Sequence, residues 1–209
     1  VSSPDGRRFV AVVAPSHRLS AAAEQKPCLW LGRFPHEPTS EQALDMPGIC
    51  SSAAFSPDSS RIAAGTWDGR FRVFRAADGV PIGAPIQQEG PVHSLTFDAT
   101  GSIVITGSTD RHIRFWDAAT GRRVAPDIEL QASVALLRTT GSGDLVGVAS
   151  DGSVSLWAGG SWTPMFSRAP IDEPFRRFAM ARDANLLAVS TKDRQLTALR
   201  LGRNTVSPP

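Results

Sequence analysis

Residues 61–74 read RIAAGTWDGRFRVF, and the same pattern returns three more times along the chain. It reappears as VITGSTDRHIRFW at 104–116, LVGVASDGSVSLW at 145–157 and LAVSTKDRQLTAL at 187–199. The aspartates that align in these segments lie 42, 41 and 42 residues apart: Asp68, Asp110, Asp151 and Asp193. A fixed period of this length indicates an array of repeated structural units, so it decides the fold before any single element is assigned.

Each repeat predicts four antiparallel strands. After Asp68, the apolar Phe71 and Val73 alternate with Arg72, and a period of two predicts a half-buried strand. The apolar run before the aspartate predicts the hairpin partner of that strand, and a further apolar segment precedes the run, as VHSLTF does at 92–97. Proline lacks a backbone donor and therefore favours edge strands; it recurs in the last stretch of the unit, at Pro81, Pro85, Pro126 and Pro164. The sequence predicts an all-β fold of four-stranded meanders.

This repeat resembles the WD-repeat (WD40) β-propeller family, in a form typical of bacterial proteins. The resemblance is carried by Trp116-Asp117, by Trp157 after Asp151, and by the turns Trp67-Asp68-Gly69 and Asp151-Gly152. It implies a propeller domain over 1–209, with blades at 1–45, 46–88, 89–131, 132–172 and 173–209, of which the first and last are incomplete. In the divergent first unit, 9–14 would be the second strand, 28–30 the third, and Glu24 would replace the turn aspartate.

The length of 209 residues accommodates about five such periods. The first unit begins near its second strand and the last ends after its third. Either five incomplete blades close imperfectly, or the chain is a piece of a larger ring. We expect the larger ring, of the seven-bladed type, since open sheet edges favour self-association.

The resemblance also implies a polar network that supports each blade. Family members often carry Gly-His before the first strand, and its imidazole joins the turn aspartate, a Ser or Thr, and the Trp. Here Gln87-Gln88 occupies that place before the third unit. We expect only partial networks, which would join Asp110, Ser108 and Trp116 in the third unit and Asp68 and Thr66 in the second. The turn residues of the other units, Asp151, Trp157 and Asp193, are expected to be structural as well.

Composition excludes several classes of function. The 22 basic and 20 acidic residues nearly balance, which is not a nucleic-acid footprint. The apolar runs are too short to cross a membrane, and His17, His36, His93 and His112 lack metal-ligand spacing. No cofactor is expected. We interpret Cys28 and Cys50 as free thiols of a cytoplasmic protein; a single disulfide between them is the alternative.

In WD-repeat proteins, partners usually dock on the wide face, at the loops that enter the first strand and at the turn between the second and third. The residues before the turn aspartates are Trp67, Thr109, Ser150 and Lys192, and the corresponding first-strand positions are Cys50, His93, Ala135 and Arg176. Trp67 is the strongest candidate, since exposed tryptophan is typical of interface hot spots; the alternative is that it packs between blades. A basic stripe suited to an acidic partner is also expected across the third strands, at Arg70, Arg72, Arg75, His112 and Arg114.

Aspartates dispersed one per unit do not converge as an active site must. The sequence therefore predicts a non-catalytic scaffold that binds an unidentified protein. The alternative is the C-terminal regulatory or sensor propeller of a larger bacterial signalling protein, in which the partner would be another domain of its own chain. The segment GVPIGAPIQQEGPVHSLTF, at 79–97, resembles propellers that follow kinase or nucleotide-hydrolase domains. A hydrolase active site assembled across several blades is the third hypothesis.

Overall fold

The repeats form consecutive antiparallel sheets in the computed structural model. The structure describes residues 1–13, 28–34 and 41–168, together with the backbone of three later strands at 175–180, 186–191 and 196–200. The described residues form strands and turns, with no helix among them. We refer to each sheet as a blade and number the blades along the chain.

The strands follow one another in space as they do in sequence. Blade 1 has three: β1 (Arg8–Val12), β2 (Leu29–Arg33) and β3 (Gln42–Ala43). Blade 2 has four: β4 (Cys50–Phe55), β5 (Arg61–Thr66), β6 (Arg70–Arg75) and β7 (Pro81–Gln87). Blade 3 has β8 (Val92–Phe97), β9 (Ile103–Ser108), β10 (His112–Asp117) and β11 (Ile128–Glu129). Blade 4 has β12 (Val134–Thr139), β13 (Leu145–Ala149), β14 (Val154–Trp157) and β15 (Pro164–Arg168). Blade 5 has β16 (Phe175–Met180), β17 (Leu186–Thr191) and β18 (Leu196–Arg200). The prediction of four-stranded antiparallel blades is confirmed; the blade boundaries and the ring size stay predictions.

Turn chemistry closes the hairpin between the second and third strands of a blade. Gly69 and Gly152 both adopt φ of 86°, a left-handed conformation that glycine takes without a steric penalty. In blade 3 the same place in the turn is occupied by Arg111, whose φ is 75°. The turns set the register, in which Ile62 pairs with Phe74.

Proline marks the outer strand of blades 2 and 4, as predicted, whereas Pro126 of blade 3 lies two residues before β11. β7 begins at Pro81 and contains Pro85, and β15 begins at Pro164. Within β7 only Ile82 and Ile86 pack against the apolar core, and the other side chains are exposed. Because proline cannot donate to a further strand, the outer edge of the blade resists pairing.

The apolar core lies between neighbouring blades, and blades 2 and 3 are covered on both faces. One cluster joins blades 1 and 2, and Leu29 and Ile62 are wholly buried in it. A second joins blades 2 and 3 through Phe71 and Leu95. A third joins blades 3 and 4, where Phe115 is buried. Stacked blades bury a continuous core that no single blade could bury alone.

The prediction that the cysteines are free thiols is wrong. Cys28, directly before β2, and Cys50, at the start of β4, form a disulfide with a Cα–Cα distance of 5.7 Å. Packing of blade 1 on blade 2 brings the two residues together, although 22 positions separate them in sequence. The alternative, a single disulfide, is therefore what the structure contains.

Candidate interaction surface and its polar support

A β-bulge near the start of the first strand shapes one end of each blade. The ladder between the first and second strands shifts by one residue in blades 2, 3, 4 and 5, and the inserted residues are Ser51, His93, Ala135 and Arg176. A bulge redirects its side chain out of the regular alternation. Three of these four positions coincide with the predicted first-strand candidates.

The fourth prediction, Cys50, is wrong by one residue. Cys50 occupies the same register position as Val92, directly before the bulge, and both side chains point into the core between blades. Cys50 is only 4% exposed and is bonded to Cys28. It therefore cannot contact a partner on the surface, and the bulge residue of blade 2 is Ser51.

Trp67 lies at the turn between β5 and β6, where its side chain is 48% exposed. Its backbone N–H donates to the carbonyl of Ile49 at 3.0 Å, which fixes the turn against the segment that enters β4. The ring of Trp67 meets the His93 ring of blade 3 edge-on, with centroids 5.4 Å apart. The alternative, that Trp67 packs between blades, holds only in part, because about half of the side chain is exposed to solvent.

We define the Trp67 patch as Trp67, Ile49 and His93. Ile49 is 50% exposed and adds a second large apolar side chain beside the indole, whereas His93 is half-buried. Sequence reasoning missed Ile49 as a surface residue, because the apolar run 49–55 was predicted as the first strand of the unit. In the structure the strand begins at Cys50, and Ile49 lies directly before it.

The structure describes the side chains of only some of the other residues predicted to lie on the wide face. Thr109 and Ser150 are exposed on the equivalent turns of blades 3 and 4, and Ala135 is half-buried. Arg176 lies on β16, of which only the backbone is described, and Lys192 lies outside the described residues. Their role in binding stays a prediction.

The turn aspartates are each held by their own blade. Asp68 accepts a hydrogen bond from Thr66 and pairs with Arg70 at 3.3 Å. Asp151 accepts from the Ser153 hydroxyl at 2.7 Å. Asp193 lies outside the described residues. These carboxylates are engaged in turn formation and do not converge with one another.

A buried chain of hydrogen bonds supports blade 3, but through residues other than those predicted. The Trp116 Nε1–H donates to Thr106 Oγ1 at 2.9 Å, not to Ser108, and the Thr106 hydroxyl donates to Gln88 Oε1 at 2.6 Å. Ser108 instead accepts from the backbone N–H of Asp110 at 3.2 Å. Gln88 is 5% exposed, so its amide fills the place that the family gives to histidine. The expectation of a network limited to Asp110, Ser108 and Trp116 is wrong because Thr106, two positions earlier on β9, faces the indole.

Replacing Thr106 by valine should lower the free energy of unfolding by about 2 kcal/mol. Valine keeps the shape but leaves the Trp116 N–H and the Gln88 carbonyl without their partner in the core. Urea denaturation measures the loss. The matched control is Thr96→Val, since the Thr96 hydroxyl is also buried but makes only a 3.4 Å bond to Phe97. Equal losses of unfolding free energy in the two variants would show that the hydrogen bonds from Thr106 to Trp116 and Gln88 do not stabilise the fold.

Arg114 is the most deeply buried member of an ion pair among the described residues. Its side chain is 2% exposed, and its two terminal nitrogens donate to Asp110 at 3.1 and 2.7 Å. Asp127 lies 3.4 Å from its Nε. Burial raises the pKa of Asp110, but hydrogen bonds from Arg114 and from the His112 backbone outweigh burial, so the pKa lies below its ordinary value.

The predicted basic stripe is wrong as a surface for an acidic partner. Arg114 is buried, and the others already have acidic neighbours: Arg70 has Asp68, Arg72 has Asp45, Arg75 has Asp78, and His112 has Asp110. Alternation indicated that these side chains point away from the strand core, but it could not reveal the carboxylates on neighbouring loops that neutralise them.

Neither a metal-ligand cluster nor a membrane-spanning helix is found among the described residues. In that part of the chain, no three His, Cys, Asp or Glu side chains are grouped as metal ligands would be. Over the same residues, no helix has the length and apolar character required to cross a membrane.

Four-stranded antiparallel blades that pack face to face in sequence order define a β-propeller. The chain is similar to the crystal structure of the computationally designed Ika4 protein, with a TM-score of 0.62 and 18% identity; the match covers 76% of this chain and 94% of that one. This likeness concerns the fold alone.

Sequence comparison identifies the repeats themselves. Residues 44–75 and 82–117 match the family described as WD domain, G-beta repeat. Residues 44–75 and 82–117 therefore carry WD40 repeats, and the resemblance that Asp68, Asp110 and Trp116 indicated there is confirmed. No curated protein matches the chain.

Proposed function

We propose that this chain is a non-catalytic WD40 scaffold that binds another protein through the Trp67 patch. The observation that carries the proposal is the half-exposed indole of Trp67, held in place by the Ile49 carbonyl and by the edge of His93. A fixed aromatic side chain loses little conformational freedom on binding, which is why tryptophan dominates interface hot spots. The exposed Thr109 turn next to blade 4 is proposed to extend the surface, and Arg176 and Lys192 to do so on blade 5.

The carboxylates support a scaffold over an enzyme. Asp68, Asp110 and Asp151 lie on separate turns, and each is occupied by groups of its own blade. General acid-base chemistry needs groups within hydrogen-bond reach of one substrate atom, and this arrangement favours turn formation instead.

A regulatory propeller of a larger bacterial signalling protein remains the second candidate. It is favoured by the segment at 79–97, which runs from the outer strand of blade 2 into the first strand of blade 3. In that case the Trp67 patch would contact another domain of the same full-length chain. The coding sequence that flanks this segment of the gene tests the idea directly, since a kinase or nucleotide-hydrolase domain would have to adjoin it.

The cytoplasmic location stays a prediction, and the Cys28–Cys50 disulfide counts against it. Disulfides persist in oxidising compartments and are rare where thiols are kept reduced. The chain has no free thiol that would favour a cytoplasmic protein.

Replacing Trp67 by alanine should weaken partner binding by about thirtyfold, the usual effect of removing a tryptophan hot spot. A photo-crosslinking amino acid at Thr109, on the exposed equivalent turn of blade 3, expressed in the native cell with Trp67 intact, identifies the partner by mass spectrometry. Calorimetry with the purified partner then compares the wild type with Trp67→Ala.

The matched control is Met165→Ala on the outer strand β15, where the side chain is 38% exposed. It removes an apolar group of comparable exposure at a distance from the patch, so binding should be unchanged. Equal affinity of the wild type and both variants would reject the Trp67 patch as the binding surface. Cross-links between two copies of the chain would instead establish the predicted self-association.

A further inference from the structure

The Cys28–Cys50 disulfide joins blade 1 to blade 2 beside the Trp67 patch. Cys28 directly precedes β2, whereas Cys50 is the first residue of β4. The Cys50 backbone N–H also donates to Cys28 Sγ at 3.3 Å. The bond is the one covalent cross-link among the described residues, since none of the cysteines there is free.

Two contacts connect this bond to the turn that carries Trp67. Ile49, the neighbour of Cys50, accepts the Trp67 N–H at 3.0 Å, and Cys50 itself pairs with Thr66 across the β4–β5 ladder. A Cβ placed on Gly48 would lie 3.0 Å from the Asp68 carboxylate oxygens, so the segment before Cys50 is packed closely against the turn. Any movement of Cys50 is therefore transmitted to Trp67 through the Ile49–Cys50 peptide bond and the hydrogen bond from the Trp67 N–H to the Ile49 carbonyl.

We propose that Cys28–Cys50 is a thiol-exchange site whose reduction by a small dithiol loosens the Trp67 patch. This inference needs no partner and does not rest on the proposed function. The closed loop spans 22 positions, and releasing it returns conformational freedom to the segment that enters β4. The apolar cluster between blades 1 and 2 remains in place, so we expect a local opening and no global unfolding.

Burial decides which sulfur reacts. Cys28 is half-buried, while Cys50 is 4% exposed, so the thiolate of the dithiol attacks Cys28 Sγ. The S–S bond breaks, and Cys50 leaves as a thiolate that takes up a proton. The second thiol of the reagent then attacks the mixed disulfide. The products are two protein thiols and one oxidised, cyclic dithiol.

Hydrogen exchange of the intact chain, with and without dithiothreitol, tests the inference. The amide of Trp67 should exchange about tenfold faster or more after reduction, because its acceptor Ile49 is no longer anchored. Blade 4 provides the internal control: the Ser150 N–H makes the same bond to the Ser133 carbonyl at 2.7 Å, and no cysteine lies in that blade. Its exchange should not change.

Alkylation followed by mass spectrometry establishes the starting state. Without reductant the native chain should take up no label, and after reduction it should take up two. The double variant Cys28→Ser/Cys50→Ser, if it folds, should exchange at Trp67 as the reduced wild type does; the reduction experiment decides the matter if it does not fold. Two labels on untreated protein, or unchanged exchange at Trp67 after reduction, would overturn the proposal.

Discussion

Replacing Asp110 by asparagine should lower the free energy of unfolding by about 3 kcal/mol, as expected when a buried ion pair loses one partner. The Arg114 side chain is 2% exposed and cannot turn to water when Asp110 loses its charge. Asp127, at 3.4 Å from Nε, then remains as its nearest carboxylate. Urea unfolding followed by tryptophan fluorescence measures the effect.

The effect should be asymmetric between the two partners. Arg114→Met leaves the carboxylates of Asp110 and Asp127, which are 28% and 26% exposed and can be hydrated; we expect a loss of about 1 kcal/mol. The matched control is Asp68→Asn, the same turn position in blade 2. Its partner Arg70 is 44% exposed, so the loss should stay within about 1 kcal/mol. If Asp68→Asn is as destabilising as Asp110→Asn, the turn itself and not the buried arginine determines the loss.

Acid should erase the advantage of the wild type over Asp110→Asn. The pKa of Asp110 is lowered from its ordinary value of 3.8, so its ion pair stabilises the folded chain fully at pH values above 3.8. The contribution disappears as the pH falls through the lower, folded-state value. The difference in free energy of unfolding between the two proteins should therefore be constant near neutrality and shrink below about pH 4. A difference that does not depend on pH would exclude the ion pair as its origin.

Arg114 also shows where alternation fails as a guide to exposure. It lies between the apolar Ile113 and Phe115, and the period of two correctly predicts strand β10. In an isolated half-buried sheet, the polar side chain of such a pattern would face water. Blade 3, however, is covered on both faces, so Arg114 is enclosed, and Asp110 and Asp127 neutralise it. The strand could be read from the sequence, but the neighbours of its polar side chains could not.

The candidate surface could be predicted at Trp67 and His93, and also at Ser51. Trp67 is marked by its place before the turn aspartate, which local sequence defines. Cys50 was misassigned by one position: Ser51 precedes Asp68 by 17 residues, as His93 precedes Asp110 and Arg176 precedes Asp193, so the repeat spacing does separate Ser51 from Cys50. The disulfide, in contrast, was hidden, because the spacing of Cys28 and Cys50 gives no distance between blades. Gln88 shows the reverse case: its position was identified, and only its hydrogen-bonding ability was underestimated.

Replacing Gly65 by alanine should lower the free energy of unfolding by about 3 kcal/mol, the upper range for overpacking a core. A Cβ on Gly65 would lie 2.4 Å from Val92 Cγ1 and 2.8 Å from Val92 Cβ, so blade 3 could no longer approach blade 2 as it does. The same arrangement recurs one blade later, where Gly107 faces Val134 Cγ1 at 2.4 Å. Gly107→Ala should therefore have the same effect, which thermal or urea unfolding measures.

The clash can be isolated by removing the opposing methyl groups. Val92→Ala alone should cost about 2 kcal/mol through the cavity it leaves. Combined with Gly65→Ala, however, it removes the closest contact, at 2.4 Å to Cγ1, and leaves the contact of 2.8 Å to Cβ, so it relieves part of the clash. The double variant should then be more stable than the sum of the single losses predicts, with a coupling energy of about 2 kcal/mol. Additive losses would mean that Gly65 is required by its own strand and not by the close approach of the next blade. A recovered double variant would establish that the repeat selects glycine at this position because adjacent blades meet there.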